Sequence, residues 1–123
     1  MQLKELIFGP QITGLLLIII GFIQQKYPPK KINDWYGYRT PMAKKNQRNW
    51  DEGNRYSAIL FVKIGVVLLI GGFILTVGLH LISNRSLKDG LLFVAMVGGS
   101  MAGILVMMAR TERHLEKFEE DEE

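Results

Sequence analysis

The sequence predicts an all-α integral membrane protein with three transmembrane helices and a short interfacial amphipathic helix in its first loop. Three apolar runs, residues 6–23, 58–82 and 91–109, are each long enough to cross most of a hydrocarbon core of about 30 Å. Only Lys63 and His80 interrupt these runs with an ionisable group, and none shows the polar stripe typical of helices in a soluble bundle. We therefore expect one membrane domain, residues 1–118, and a disordered acidic tail, residues 119–123.

The distribution of basic residues predicts the orientation of these spans. The segment from Lys26 to Ser57 and the chain after Ala109 together carry eleven lysines and arginines, whereas the N-terminus and the second loop carry three. The positive-inside rule then predicts that the first loop and the C-terminus lie in the cytoplasm and the N-terminus lies outside. The first apolar run is followed by Gln24-Gln25-Lys26-Tyr27, which contains no small-residue site for signal-peptide cleavage. We therefore expect this run to stay in the mature protein.

Turn residues and glycine spacing predict how the spans pack. Residues 83–90 have the composition of a tight hairpin, which makes the second and third spans antiparallel neighbours. We expect the third helix to continue past the membrane through Phe118. Small residues recur at spacings that allow close helix contact, with homo-oligomerisation through the third span as the alternative. They are Gly14, Gly21, Gly65 and Gly72 on the first two spans, and Ala95, Gly99 and Gly103 on the third.

The first loop, residues 27–57, contains more aromatic residues than a flexible linker requires, because it holds both tryptophans and all four tyrosines. Two prolines after Tyr27 end the first helix near Lys26. Thr40-Pro41 has the form of an N-cap and a first helical position. From there a helix would place Trp50 on an apolar face opposite a basic one. We expect it to lie in the inner headgroup layer, with Gly53 as the hinge into the second span.

Lipid anchoring explains the aromatic and basic residues of this loop, but it does not explain its asparagines and glycines, which favour a specific polar network. The candidate residues are Asn33, Gly37, Tyr38, Arg39, Thr40, Trp50, Asn54 and Arg55. This ordered set, a Gly-Tyr-Arg-Thr cluster followed by Trp and then Asn-Arg, resembles the signature of the Sdp immunity protein family, also called the SdpI family. The resemblance covers the three-span module that the best-known members carry at their C-terminal end.

The resemblance implies protection of a producing cell from its own secreted peptide toxin, with signalling by retention of a transcriptional repressor at the membrane. In that role Arg39 and Arg55 would pair with acidic groups, while Tyr38 and Trp50 would present rigid contact surface. Alternatively, Arg39 ties the loop to the span ends through backbone carbonyls. A different class of function is an accessory or structural subunit of a larger membrane complex.

Several chemistries are not expected. The chain has no cysteine, and His80 and His114 lie near opposite membrane faces, so we expect no enzyme, no metal site and no cofactor. No carboxylate lies within a span, which disfavours a proton-coupled exporter. The net charge of +3 comes from residues that topology already explains, so nucleic acid is not an expected partner. The expected partners are membrane lipid, a toxin peptide and a membrane or regulatory protein.

Overall fold

The computed structural model describes residues 2–122, and every regular element in that range is helical. The α-helices are α1 (Leu3–Ile7), α2 (Pro10–Lys26), α3 (Gln47–Leu79) and α4 (Arg85–Glu120), and a short 3₁₀ turn spans Ala43–Lys45. By length and mean hydropathy, α3 and α4 are suited to cross a membrane. The all-α prediction and two of the expected spans therefore agree with the structure. At 17 residues α2 is about 25 Å long, and its crossing of the membrane stays a prediction.

Glycines bring α2 and α3 together backbone to backbone. A Cβ atom on Gly14 would lie 2.5 Å from the carbonyl oxygen of Gly65, and one on Gly72 would lie 2.5 Å from the amide nitrogen of Gln11. The pairing runs in opposite directions along the two helices, so they are antiparallel. On α4, a Cβ atom on Gly103 would lie 3.0 Å from the side chain of Ile64. The helices thus meet where small residues were expected.

Polar side chains within these helix contacts are paired. At one end of the α2–α3 contact, Gln11 donates to the Thr76 hydroxyl at 3.2 Å and to the Leu6 carbonyl at 2.7 Å. Farther along the bundle, Ser100 of α4 donates to the Thr13 hydroxyl at 2.8 Å. Such pairing is what an apolar surrounding requires, because an unpaired polar group there has no water to bind.

The predicted interfacial helix is wrong. The first loop enters α3 at Gln47, and the Asn46 side chain caps that helix by accepting from the Asn49 amide at 2.8 Å. The Thr40 hydroxyl accepts from the Ala43 amide at 3.3 Å, at the start of the 3₁₀ turn, and caps no α-helix. Gly53 is no hinge, since α3 runs through it without a break. The helix start is thus at Asn46 and not at Thr40-Pro41. The segment expected in the headgroup layer is the first part of α3.

Three other boundaries differ from the expectation. The first apolar run is interrupted between α1 and α2 at Phe8 and Gly9, although α2 does end at Lys26 before the two prolines. The hairpin closes earlier than predicted, because Asn84 caps α4 by accepting from the Leu87 amide at 3.1 Å, which places Gly90 inside the helix. Helix α4 continues through Phe118 to Glu120, and the final residue of the predicted tail lies outside the described residues.

Candidate functional site

Asn54 joins the first loop to both α2 and α3. Its buried side-chain oxygen accepts from the Tyr38 amide at 2.6 Å and from the Gln24 amide group at 3.3 Å. Its side-chain nitrogen donates to the carbonyl oxygens of Trp50 at 2.9 Å and Tyr38 at 3.3 Å. Gln24, the last buried residue of α2, also donates to the Asn54 carbonyl at 2.9 Å. One asparagine therefore holds the loop against two helices.

Gly37 and Trp50 complete the buried side of this junction. Gly37 has a φ of +105°, a left-handed conformation that favours glycine, and a Cβ atom there would lie 2.4 Å from the Asn54 side-chain oxygen. The Trp50 side chain has an exposed fraction of 0%, and its indole nitrogen donates to the Pro29 carbonyl at 2.7 Å. The loop therefore fits against α3 only with glycine at one position and an indole donor at the other.

A carboxylate from α4 binds the other side of the loop. The hydroxyl groups of Tyr38 and Thr40 donate to the same oxygen of Glu112, at 2.5 and 2.6 Å. Burial, and then the adjacent Glu112 carboxylate, raise the pKa of the Tyr38 phenol well above its usual range. The phenol consequently stays protonated and remains a donor at neutral pH. We call Gly37, Tyr38, Thr40, Trp50, Asn54 and Glu112 the loop clamp.

The acidic C-terminal end of α4 lies against the start of α3. Glu119 accepts from the Asn49 side chain at 2.6 Å and from Lys45 at 3.0 Å, and these contacts, the Asn49 hydrogen bond first, lower the pKa of the Glu119 carboxyl. Arg48 pairs with Glu122 at 2.7 Å, and its guanidinium lies 3.9 Å above the ring of Phe118. The prediction that this tail is disordered is therefore wrong for its described residues.

Arg55 is paired with a neighbour on its own helix. Its guanidinium donates to both oxygens of Glu52, at 2.9 and 2.5 Å. A ring nitrogen of His114 lies 2.7 Å from the same carboxylate, and the imidazole stacks on Tyr56 with ring centroids 4.0 Å apart. The hydrogen bond from Arg55, with a smaller contribution from His114, lowers the pKa of the Glu52 carboxyl. This group links the first turns of α3 to the end of α4.

Arg39 and Asn33 shape the outer turn of the loop. The Arg39 guanidinium donates to the Asp34 carbonyl within the loop, whereas the internal role expected for Arg39 joined the loop to the span ends. The Asn33 side chain accepts from the amides of Trp35 at 2.9 Å and Tyr36 at 2.8 Å, which closes a tight turn. This turn presents the Trp35 side chain with an exposed fraction of 89%. Trp35 is thus the most exposed aromatic residue of the loop, whereas Tyr38 and Trp50, expected as contact surface, are buried.

The structure brings five of the predicted residues into one cluster and leaves three outside it: Gly37, Tyr38, Thr40, Trp50 and Asn54 belong to the loop clamp, while Asn33, Arg39 and Arg55 do not. Sequence reasoning missed Gln24 and Glu112. The one available signal for Gln24 was an amide at the end of an apolar run. Nothing local marks Glu112, because 74 positions separate it from Tyr38.

A groove of about 440 Å³ opens beside the loop clamp, between the end of α2 and the first turns of α3. Its exposed lining is mostly apolar but carries charges of both signs, from Lys30, Arg55 and Asp51, while Gln24 and Pro28 lie on the α2 side. Within residues 2–122, no group of three or more histidine and acidic side chains is arranged to hold a metal ion. The groove thus offers both apolar surface and charged side chains.

Comparison with known proteins shows which family this sequence matches. The model of the SdpI/YfhL protein family matches residues 30–109, which include the first loop, α3 and most of α4. The uncharacterized protein YfhL of Bacillus subtilis (strain 168) is 45% identical over 64 residues, which cover 52% of this chain and 58% of that protein. No solved structure matches.

Proposed function

Because the chain belongs to the SdpI/YfhL protein family, we propose that it is an immunity-type membrane protein that protects its own cell from a secreted antimicrobial peptide. The role is one of binding, without catalysis. We further propose that it signals by holding a transcriptional repressor at the membrane when the peptide is bound. The first loop, the start of α3 and the end of α4 form one polar surface at the same end of the bundle, which suits a soluble partner.

This function includes a specific membrane placement. We propose that α2 crosses a bacterial plasma membrane together with α3 and α4, because it packs along α3 through Gly14, Gly21, Gly65 and Gly72. In this placement the loop clamp and the C-terminus lie in the cytoplasm, where the excess of basic residues places them. The N-terminus and the short turn before α4 lie outside.

The observation that carries the proposal is the fixed loop. The loop clamp satisfies its own polar groups, so these residues position the loop and leave other side chains free for a ligand. The free surface consists of the outer turn and the residue before it: Trp35 is 89% exposed, and Tyr36 and Ile32 are partly exposed. A preformed surface with an aromatic anchor lowers the entropy cost of binding.

Survival of cells under a panel of membrane-active peptides tests the proposal. Cells that make the protein should survive a peptide that kills cells without it, and Trp35→Ala should lose this protection. Leu81→Ala is the matched control, because Leu81 is equally exposed, at 89%, at the other end of the bundle. Expression and membrane insertion must be equal. Absence of protection by any form across the panel would reject the immunity role.

An accessory subunit of a larger membrane complex is the second candidate, and the surface of α4 favours it. Phe93, Val94, Met101 and Leu105 each expose 60% or more of their side chains along this helix. Such a face suits lipid or the helix of a constant partner. Purification in mild detergent separates the candidates, because an accessory subunit co-purifies with one stoichiometric partner and an immunity protein does so only when the toxin is present.

A further inference from the structure

A second groove, of about 410 Å³, lies between α3 and α4 in their apolar part. Its floor consists of small residues of α4: Gly99, Ala102 and Gly103. Its α3 side includes Val67, which is 69% exposed. It extends from Leu60 to Leu68 on α3, about 12 Å along the helix. Under the membrane placement proposed above, this groove faces the hydrocarbon of the inner leaflet.

Two cations line the same groove. Lys63 and Arg110 are both exposed, and among residues 2–122 neither forms a salt bridge. Arg110 follows directly after the third apolar run, at the depth of the lipid headgroups, and Lys63 has a side chain long enough to extend to that depth. A basic site therefore adjoins an apolar slot that opens toward lipid.

We propose that this groove binds one anionic phospholipid, with an acyl chain along Gly99 and Gly103 and the phosphate between Lys63 and Arg110. The apolar floor without large side chains leaves room for a chain, and the two cations complement the charge of the headgroup. The inference rests on the membrane placement proposed above, and it is independent of the immunity role.

A second copy of the chain is the competing occupant, and the charges argue against it. In a two-fold symmetric contact each copy presents the same surface to the other. Two copies of Lys63 and of Arg110 would then lie close together at the depth of the headgroups, and like charges at short distance repel each other. A lipid phosphate removes this repulsion, whereas a second copy creates it.

Native mass spectrometry of the purified chain with defined lipids tests the proposal. The probes are dioleoyl phosphatidylglycerol and dioleoyl phosphatidylcholine, which share acyl chains and differ in net charge. We expect one phosphatidylglycerol to bind in preference to phosphatidylcholine. Its affinity should fall about fivefold in Lys63→Gln or Arg110→Gln and about thirtyfold in the double variant. Lys63→Arg should retain the preference, which shows that charge is what matters.

Two further variants separate the groove from general charge effects. Lys26→Gln removes a cation from the same predicted membrane face but outside the groove, so it should leave the preference intact. Ala102→Leu fills the floor and should weaken binding of both lipids. Equal binding of the two lipids by the unaltered chain, or an unchanged preference in the double variant, would overturn the proposal. So would a dimer that Ala102→Leu disrupts. None of these results depends on survival under a toxin.

Discussion

Replacing Asn54 by alanine should release the first loop from the helices. The change leaves the Tyr38 amide without its acceptor at 2.6 Å, and a buried unpaired group costs about 2 kcal/mol. It also removes the 2.9 Å bond to the Trp50 carbonyl, which contributes about 1 kcal/mol. We therefore expect Asn54→Ala to lower the free energy of unfolding by about 3 kcal/mol.

The two tryptophans offer a direct assay. Trp35 is 89% exposed and Trp50 is 0% exposed, so a Trp35→Phe background leaves one buried reporter beside Asn54. Unfolding by increasing sodium dodecyl sulfate in mixed micelles, followed by the emission of this reporter, gives the free energy of unfolding for each variant. The unfolding midpoint of Asn54→Ala should shift strongly toward lower detergent fraction.

Asn33→Ala is the matched control for this experiment. Asn33 is also an asparagine of the first loop that closes hydrogen bonds to backbone groups, but it is only half-buried and these bonds are exposed, so water replaces them when they are lost. We expect it to cost less than about 1 kcal/mol. If the two substitutions destabilise the protein equally, the claim that Asn54 fixes a buried junction is refuted.

Three further predictions follow from the same structure. Gly37→Ala should destabilise the protein by about 2 kcal/mol or more in the same unfolding assay, because its φ is +105° and a Cβ atom would lie 2.4 Å from a buried oxygen. Gly65→Ala should disrupt the α2–α3 contact, whereas Gly71→Ala, which meets nothing within 4 Å, should be neutral or stabilising in thermal unfolding. The lowered pKa of Glu52 means that its stabilisation is present above its ordinary value of 4.5 and is lost as pH falls through the folded-state value, so Glu52→Gln should flatten this acid-side decline.

Local signals in the sequence were sufficient for some parts of the fold. Two prolines end α2 at Lys26, and glycine spacing marks the α2–α3 contact, because each signal acts within one or two helical turns. The start of α3 was mistaken because two cap signals, Thr40-Pro41 and Asn46, lie six residues apart. Only packing of the following turns, in which Gly53 lies against Leu115 of α4, decides between them.

The candidate site depended on contacts that no local pattern encodes. The loop signature indicated that asparagine and glycine formed a polar network, and five of its residues do meet in the loop clamp. The partner on α4 was not predictable, because Glu112 and Tyr38 are 74 positions apart and acidic residues near a C-terminus are usually solvated. The folded tail was missed for the same reason.

Hydrogen–deuterium exchange of the first loop, measured by mass spectrometry in lipid nanodiscs, tests the central claim most directly. The account predicts slow exchange at the Tyr38 amide, which Asn54 holds at 2.6 Å, and loss of this protection in Asn54→Ala. The amides of the exposed segment 30–32, which precedes the outer turn, should exchange fast in both proteins. Exchange of Tyr38 at the rate of an unstructured linker in the unaltered protein would contradict a loop fixed on the helix ends.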